Sequence, residues 1–239
     1  GDHRARQLGA LGDVVGLGKT VEAIAFVESM RSEGRVESCL VICPASLKRK
    51  WANEVNKFAG AEAIVGEAKS RCTAKQWNAI WRGPRAYTIL NWDVVWRYWD
   101  EIQQLSFDCL ILDEVQYAKN HSAKRTRYAR RLSRQVPMTI GLSATFLENT
   151  LEDLFSVFTI VAPDAFLGNF RIFDRHFIER DFFGGIKGYK NLDRARDRVA
   201  PYILRRHKEE VAGQLRGAIA SDIVETDYWI QLGRSQRAL

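Results

Sequence analysis

The chain is predicted to fold as an α/β protein, a parallel sheet flanked by helices on both faces. Three observations carry this expectation. Four short runs, Ser38–Cys43 (SCLVIC), Tyr87–Leu90 (YTIL), Phe107–Leu112 (FDCLIL) and Met138–Leu142 (MTIGL), are nearly all apolar and do not alternate, the pattern of strands buried on both sides. Between them lie longer stretches whose apolar residues recur at helical spacing, and helical crossovers are what parallel strands require. The composition is that of a globular protein: 239 residues, 46% hydrophobic and 27% charged. Collagen-like, low-complexity and disordered chains are thereby excluded.

Taken in order, the first helix is read from Val21, Ile24, Ala25 and Val27, with Glu22 and Glu28 outside. The second is read from Leu47, Trp51, Val55 and Phe58 at i, i+4, i+8 and i+11. After Pro163 the texture changes. Phe, Arg and Asp dominate residues 166–183, Gly184, Gly185 and Gly188 interrupt the chain, and Leu192–Val211 is charged and helix-like apart from Pro201. The expected organisation is a sheet lobe over residues 1–165, a mainly helical protrusion over 166–212, and the opening of a further lobe over 213–239 with a strand candidate at Tyr228–Leu232.

The four cysteines (39, 43, 72 and 109) are too few for a disulfide framework, and three of them fall in apolar runs, so they read as buried free thiols. The four histidines are scattered and share no metal-ligand spacing with them. Reduced thiols point to an intracellular protein. No apolar run reaches the ~18 residues of a membrane span, and GDHRARQLGA lacks the apolar centre of a signal peptide.

The densest chemical signal is Gly16-Leu17-Gly18-Lys19-Thr20, followed at once by the first helical pattern. Glycines let backbone N–H groups approach anionic oxygens with no Cβ in the way. A helix starting there turns the positive end of its dipole toward the same anion. In that arrangement Lys19 reaches the β- and γ-phosphates and the Thr20 hydroxyl sits on Mg²⁺. The stricter pattern has glycine where this chain has Asp13, and an ordinary glycine turn is the competing reading.

A second signal decides between them. FDCLILDEVQ (107–116) is an apolar strand ending in Asp113-Glu114. Carboxylates at the tip of a buried parallel strand stand at the edge where α/β sheets bind ligands. Asp113 is placed to hold Mg²⁺, usually through water, and Glu114 to orient or deprotonate the attacking water. Alone, the segment would be an acidic helix cap; with the glycine turn it predicts an ATP-hydrolysing site. A third segment, Gly141-Leu142-Ser143-Ala144-Thr145, also follows a strand. Its hydroxyls can bond both the acidic motif and a neighbouring lobe.

Together GLGKT (16–20), LVICPASLKRKWANEVNKF (40–58), LILDEVQYAKN (110–120), GLSATFLENTLEDLFSVFTIVAP (141–163) and YILRRHKEEV (202–211) resemble the Swi/Snf-type ATP-dependent DNA translocases of helicase superfamily two. The resemblance covers nearly all the chain. It implies a first RecA-like lobe of the P-loop NTPase class, with a second lobe of the same polypeptide closing on ATP and duplex DNA gripped through its backbone. Gly16, Leu17, Gly18, Lys19, Thr20 and Gln116 would then contact nucleotide. Asp113, Glu114 and Lys19 would be catalytic, with Thr20 and Asp113 on Mg²⁺. Ser143, Ala144 and Thr145 would couple hydrolysis to movement. Pro44, Ser46 and Lys48 match the motif that touches the DNA backbone. GYKNL…YILRRHKEEV (188–211) looks like the protrusion leading to the second lobe, and residues 221–239 like that lobe's first strand and helix, which makes the chain a fragment of a larger protein.

Three departures stand out. The family's Asp-Glu-Met before GLGKT is Asp13-Val14-Val15 here, its Thr-Tyr after the strand at 87–90 is replaced by Asn91-Trp92, and its adenine-reading motif has no clear match upstream.

A net charge of +7 and a pI near 9.3 agree with a polyanionic partner. Basic residues gather at Lys48-Arg49-Lys50 and at Lys124, Arg125, Arg127, Arg130, Arg131 and Arg134, of which 124, 127, 131 and 134 share one helical face. Most of the seven tryptophans read as packing residues rather than base-stacking platforms. The expected function is therefore the first motor lobe of a DNA-stimulated ATPase that translocates on duplex DNA and remodels protein–DNA complexes, without a membrane, in a bacterial cytoplasm or alternatively a nucleus. Two readings compete: a strand-separating helicase or restriction-type motor of the same superfamily, and an inactive nucleic-acid-binding module.

Overall fold

A computed structural model of the chain describes residues 7–12, 18–67, 78, 85–144, 150–166 and 168–204. Seven parallel strands form the main sheet: β1 (Gln7–Leu11), β2 (Cys39–Cys43), β3 (Ala63–Val65), β4 (Tyr87–Asn91), β5 (Cys109–Asp113), β6 (Met138–Leu142) and β9 (Ile203–Leu204), in the spatial order β3-β4-β2-β5-β6-β1-β9. A separate antiparallel pair, β7 (Ile178–Arg180) and β8 (Ile186–Tyr189), makes a hairpin.

The four runs expected as strands are all central strands. Every residue of β2 and β5 is buried, which is why neither alternates. Side chains still leave the sheet on opposite faces. Leu40, Ile42, Leu110 and Leu112 join one apolar cluster, while Cys39, Val41, Cys43, Cys109 and Ile111 join the other.

The second cluster is covered by α1 (Lys19–Ser32) and α2 (Lys48–Ala59). Ile24 and Val27 of α1 are wholly buried, each contributing roughly 1.5–3 kcal/mol relative to exposure. Ala25 of α1 and Phe58 of α2, expected inward, face solvent. Phe58 is instead covered by the Lys57 ammonium, 4.8 Å from its ring centre.

The first cluster is covered by α3 (Trp92–Arg97), α4 (Trp99–Ile102), α5 (Lys124–Gln135), α6 (Leu151–Val161), α7 (Phe170–Phe177) and α8 (Leu192–Val199). The Thr150 hydroxyl caps α6 by accepting the Asp153 N–H at 3.3 Å. Gly141 of β6 allows α6 to close down, because a Cβ there would lie 2.6 Å from Val161 Cγ1.

Within the expected mainly helical protrusion, residues 166–204 hold two α-helices and also strands. The β7–β8 hairpin separates α7 from α8, and Ile203–Leu204 returns to the main sheet beside β1. Phe173, Phe177, Ala195 and Val199 sit in the same apolar cluster as Leu110 and Leu112, so this segment shares the core of the sheet lobe. The strand candidate at Tyr228–Leu232 lies outside the described residues. No described helix is long and apolar enough to cross a membrane.

Candidate active site

Parallel strands all end at one edge, and the register brings the chemically marked ends together there. Leu11 pairs with Leu142, and Leu142 with Asp113. The chain leaving β1 and the acid pair ending β5 are thus two strand spacings apart, about 10 Å, with Ser143 directly between them. Ser143 donates its N–H to the Leu11 carbonyl at 3.1 Å.

Gly18 precedes α1 with φ of 83°, a conformation that glycine adopts without strain. Lys19 and Thr20 are the first two residues of that helix, so its positive end lies where they stand. Gly16 and Leu17 lie outside the described residues, as does Thr145.

Asp113 is buried, with 8% of its surface exposed. Its Oδ2 accepts the Trp51 indole N–H at 2.8 Å and its Oδ1 the Glu114 backbone N–H at 3.0 Å. Burial drives the Asp113 carboxyl above the ordinary carboxylate range, opposed by the Trp51 hydrogen bond. The Glu114 charge adds to the rise, and the Glu114 N–H and the Lys19 charge oppose it. Lys19 therefore stands within electrostatic reach of Asp113, as a shared metal–triphosphate requires.

Glu114 is one of two described non-glycine residues with positive φ, at 50°, a conformation costing roughly 1–2 kcal/mol. The turn redirects the chain from β5 into the short 3-10 helix Val115–Ala118. It also lets the Glu114 carboxylate meet Gln116, whose Nε2 donates to it in a short contact. The Gln116 Oε1 accepts the Ser143 hydroxyl at 2.8 Å. Glu114, Gln116 and Ser143 thus form one hydrogen-bonded line from the acid pair to the end of β6, with Ala144 half-buried next to it.

Burial also raises the Cys43 thiol to about 12, with the Asp113 charge adding to the rise and the Lys48 charge opposing it. At neutral pH it is a neutral neighbour, not a nucleophile.

Pro44 and Ser46 follow β2 at the same edge, Pro44 buried and Ser46 exposed. Lys48 departs from its expected place on a DNA-facing surface. Its ammonium is buried, 2.7 Å from Glu67 Oε2 and 2.8 Å from the Gly66 carbonyl. A paired, desolvated lysine is a structural tie between α2 and the chain beyond β3. Arg49 and Lys50 are the exposed cations of that cluster. On α5, Lys124, Arg127, Arg131 and Arg134 are exposed, opposite the buried Ala129 and Leu132.

The donors suit Mg²⁺ carried by a triphosphate. A hydroxyl and a carboxylate are hard oxygen ligands, and Mg²⁺ takes few protein ligands beside phosphate and water. Among the described residues no group of three or more His, Cys, Asp or Glu side chains holds a metal by itself.

Sequence reasoning missed two contacts. Trp51 and Trp92 read as packing residues, and both are buried, but each indole N–H also ends on Asp113.

Residues 3–228 match the family model of the SNF2-related domain. An uncharacterized ATP-dependent helicase of Mycoplasma genitalium is 32% identical over 219 residues, covering 90% of this chain and 20% of that protein. The TATA-binding protein-associated factor BTAF1 of Arabidopsis thaliana is 31% identical, over 90% of this chain and 11% of its own length. The Sulfolobus solfataricus SWI2/SNF2 ATPase core in complex with dsDNA superposes with a TM-score of 0.69 at 26% identity, covering 86% of this chain and 41% of that one. The match thus spans a fifth or less of the length of the Mycoplasma and Arabidopsis proteins. Its sheet order, its strand-end motifs and its match over most of its length agree: the chain belongs to the SNF2-related domain family and has the fold of the first RecA-like lobe of a SWI2/SNF2 ATPase core.

Proposed function

We propose that the chain is the nucleotide-binding motor lobe of a DNA-dependent ATPase that translocates on duplex DNA and remodels protein–DNA complexes. The observation that carries this is the register of β1, β6 and β5, which sets the end of β1, the strand ahead of Lys19, two strands from Asp113 with Ser143 between them. In this reading the Lys19 ammonium and the start of α1 hold the phosphates. Thr20 and Asp113 would hold Mg²⁺, which when bound would supply charge neutralisation for the transferred phosphoryl group. Glu114 orients the attacking water and takes its proton. The Gln116–Ser143 line then carries the state of Glu114 to the edge that a second lobe of the same polypeptide would face.

Duplex DNA is the proposed partner. The Sulfolobus core was solved with dsDNA, and exposed Ser46, Arg49 and Lys50 lie beside the end of β2. Contacts of this kind are sequence-independent and weaken with salt, by roughly 0.9 in log K per neutralised phosphate for each log unit of salt. That suits a motor that steps along any sequence. Strand separation is the second reading, favoured by the name of the Mycoplasma relative.

Two variants of the full-length protein and a displacement assay test the proposal. Lys19→Ala is expected to abolish ATP binding, and Glu114→Gln to keep binding while losing DNA-stimulated hydrolysis. Displacement of a triplex-forming strand without release of a duplex strand supports translocation; duplex unwinding supports the second reading. DNA-dependent function unchanged in Glu114→Gln overturns the catalytic assignment.

A further inference from the structure

Asp113 is held by donors from α2, from α3 and from the adjacent Glu114, and neither helix carries a residue of the phosphate-binding segments. Trp51 lies one turn into α2 and is 1% exposed. It reaches Asp113 Oδ2 across 62 positions of sequence. Glu114 occupies Oδ1 through its N–H. Trp92, the first residue of α3, holds the Asp113 backbone carbonyl at 3.1 Å.

A carboxylate offers about four lone-pair sites. With one donor on each oxygen, rotation of the carboxylate is fixed and about one lone pair per oxygen remains available. A ligand held in one orientation meets a cation, or the cation's water, without first losing rotational freedom. Trp51 is itself immobile. Its ring is buried in the cluster between α1, α2 and the sheet, and α2 is tied at Lys48 by Glu67 and the Gly66 carbonyl. Simple satisfaction of a buried indole N–H would be met by any nearby backbone carbonyl, as Trp92 demonstrates. Trp51 ends on the carboxylate instead.

We propose that Trp51 is a positioning residue for the Mg²⁺-nucleotide: its indole N–H sets the orientation in which the Asp113 carboxylate meets the cation. This rests on Lys19, Thr20 and Asp113 being the metal–triphosphate site.

Two replacements separate the donor from the ring. Trp51→Phe removes the N–H together with some volume. Incorporating 3-benzothienylalanine at position 51 keeps the bicyclic shape and removes the N–H alone. Affinity for a fluorescent ATP analogue is measured with Mg²⁺ and with EDTA, on chains whose melting temperatures show that they are folded. The wild-type chain is expected to bind more tightly with Mg²⁺. Both replacements should keep the EDTA affinity within about twofold and lose about tenfold of the Mg²⁺ enhancement, the scale of one hydrogen bond to a charged group. Trp92→Phe, which removes a hydrogen bond to the Asp113 backbone carbonyl and none to the carboxylate, should leave that enhancement intact. Full Mg²⁺ enhancement in the benzothienyl chain, or equal loss with and without Mg²⁺, overturns the role of Trp51. A wild-type chain with no Mg²⁺ enhancement, and with binding unaltered by Lys19→Ala, overturns the metal–triphosphate reading itself.

Discussion

At Asp113, burial and the Glu114 charge raise the carboxyl pKa, while two N–H donors and Lys19 restrain it. The net rise has a consequence for stability. A carboxyl whose folded pKa lies above its unfolded value stabilises the fold in its protonated form. That contribution is complete below the unfolded pKa, near 3.8, and is lost as pH rises through the folded pKa. Ionised Asp113 is therefore a local destabilisation, which the proposed metal role would explain as a trade of stability for activity. Asp113→Asn keeps an oxygen for the Trp51 N–H and carries no charge. It is expected to melt higher than the wild type at pH 8, with the gap narrowing toward pH 4, and to lose Mg²⁺-dependent nucleotide binding. Thermal melts of both chains across that range check it; a variant melting below the wild type at pH 8 contradicts it.

The contact between β6 and α6 is where the fold tolerates least. Gly141 sits under Val161, and an added Cβ would lie 2.6 Å from Val161 Cγ1 and 3.4 Å from Val115 Cγ1. Both neighbours are branched and wholly buried, so neither yields easily. Gly141→Ala is expected to destabilise by about 1–3 kcal/mol through overpacking. Gly9→Ala in β1 meets only the Tyr202 carbonyl at an ordinary 3.6 Å and is expected to be neutral or mildly stabilising. Denaturant melts of the pair decide it, and equal effects would contradict the packing argument. The same elements show what was legible beforehand. β2, β4, β5 and β6 announce themselves because burial on both faces leaves an unbroken apolar run. β1 has Gln7 and Gly9 in its five residues, β3 has three residues and β9 only two, so their partners, not their composition, make them strands. In the β7–β8 hairpin seven positions from Asp181 to Lys187 face solvent, which leaves no period-2 signal; Gly184 and Gly185 showed only that the chain turns. Lys19, Asp113, Glu114 and Ser143 could be singled out as candidates because phosphate and metal chemistry confines particular residue types to short contiguous segments. Trp51 was not, because its partner lies 62 positions away and a buried tryptophan reads as packing.

On the scale of the whole molecule, the described lobe carries Asp113, Glu114 and Ser143 at the ends of β5 and β6, and Lys19 at the start of α1. The match covers a fifth or less of the Mycoplasma and Arabidopsis relatives and 41% of the Sulfolobus ATPase core. In phosphoryl transfer the charge on the departing phosphate is commonly neutralised by an arginine supplied from a facing surface, at a gain of roughly 10³–10⁵ in rate. The Glu114–Gln116–Ser143 line offers that facing surface a route to the proposed catalytic carboxylate: repositioning Ser143 would alter the bond that holds Gln116, and through it Glu114. The chain alone is accordingly expected to hydrolyse ATP slowly, and a polypeptide carrying the second lobe to exceed it by about 10³-fold or more. In the longer polypeptide, Ser143→Ala should reduce DNA-stimulated kcat while leaving ATP affinity within about twofold, since its hydroxyl touches Gln116 and not the phosphates. Steady-state turnover of both polypeptides, with Lys19→Ala as the control for contaminating ATPase, makes the comparison. Rapid turnover by the chain alone that Lys19→Ala abolishes would show that the lobe completes its own site, and the dependence on a facing lobe would be wrong.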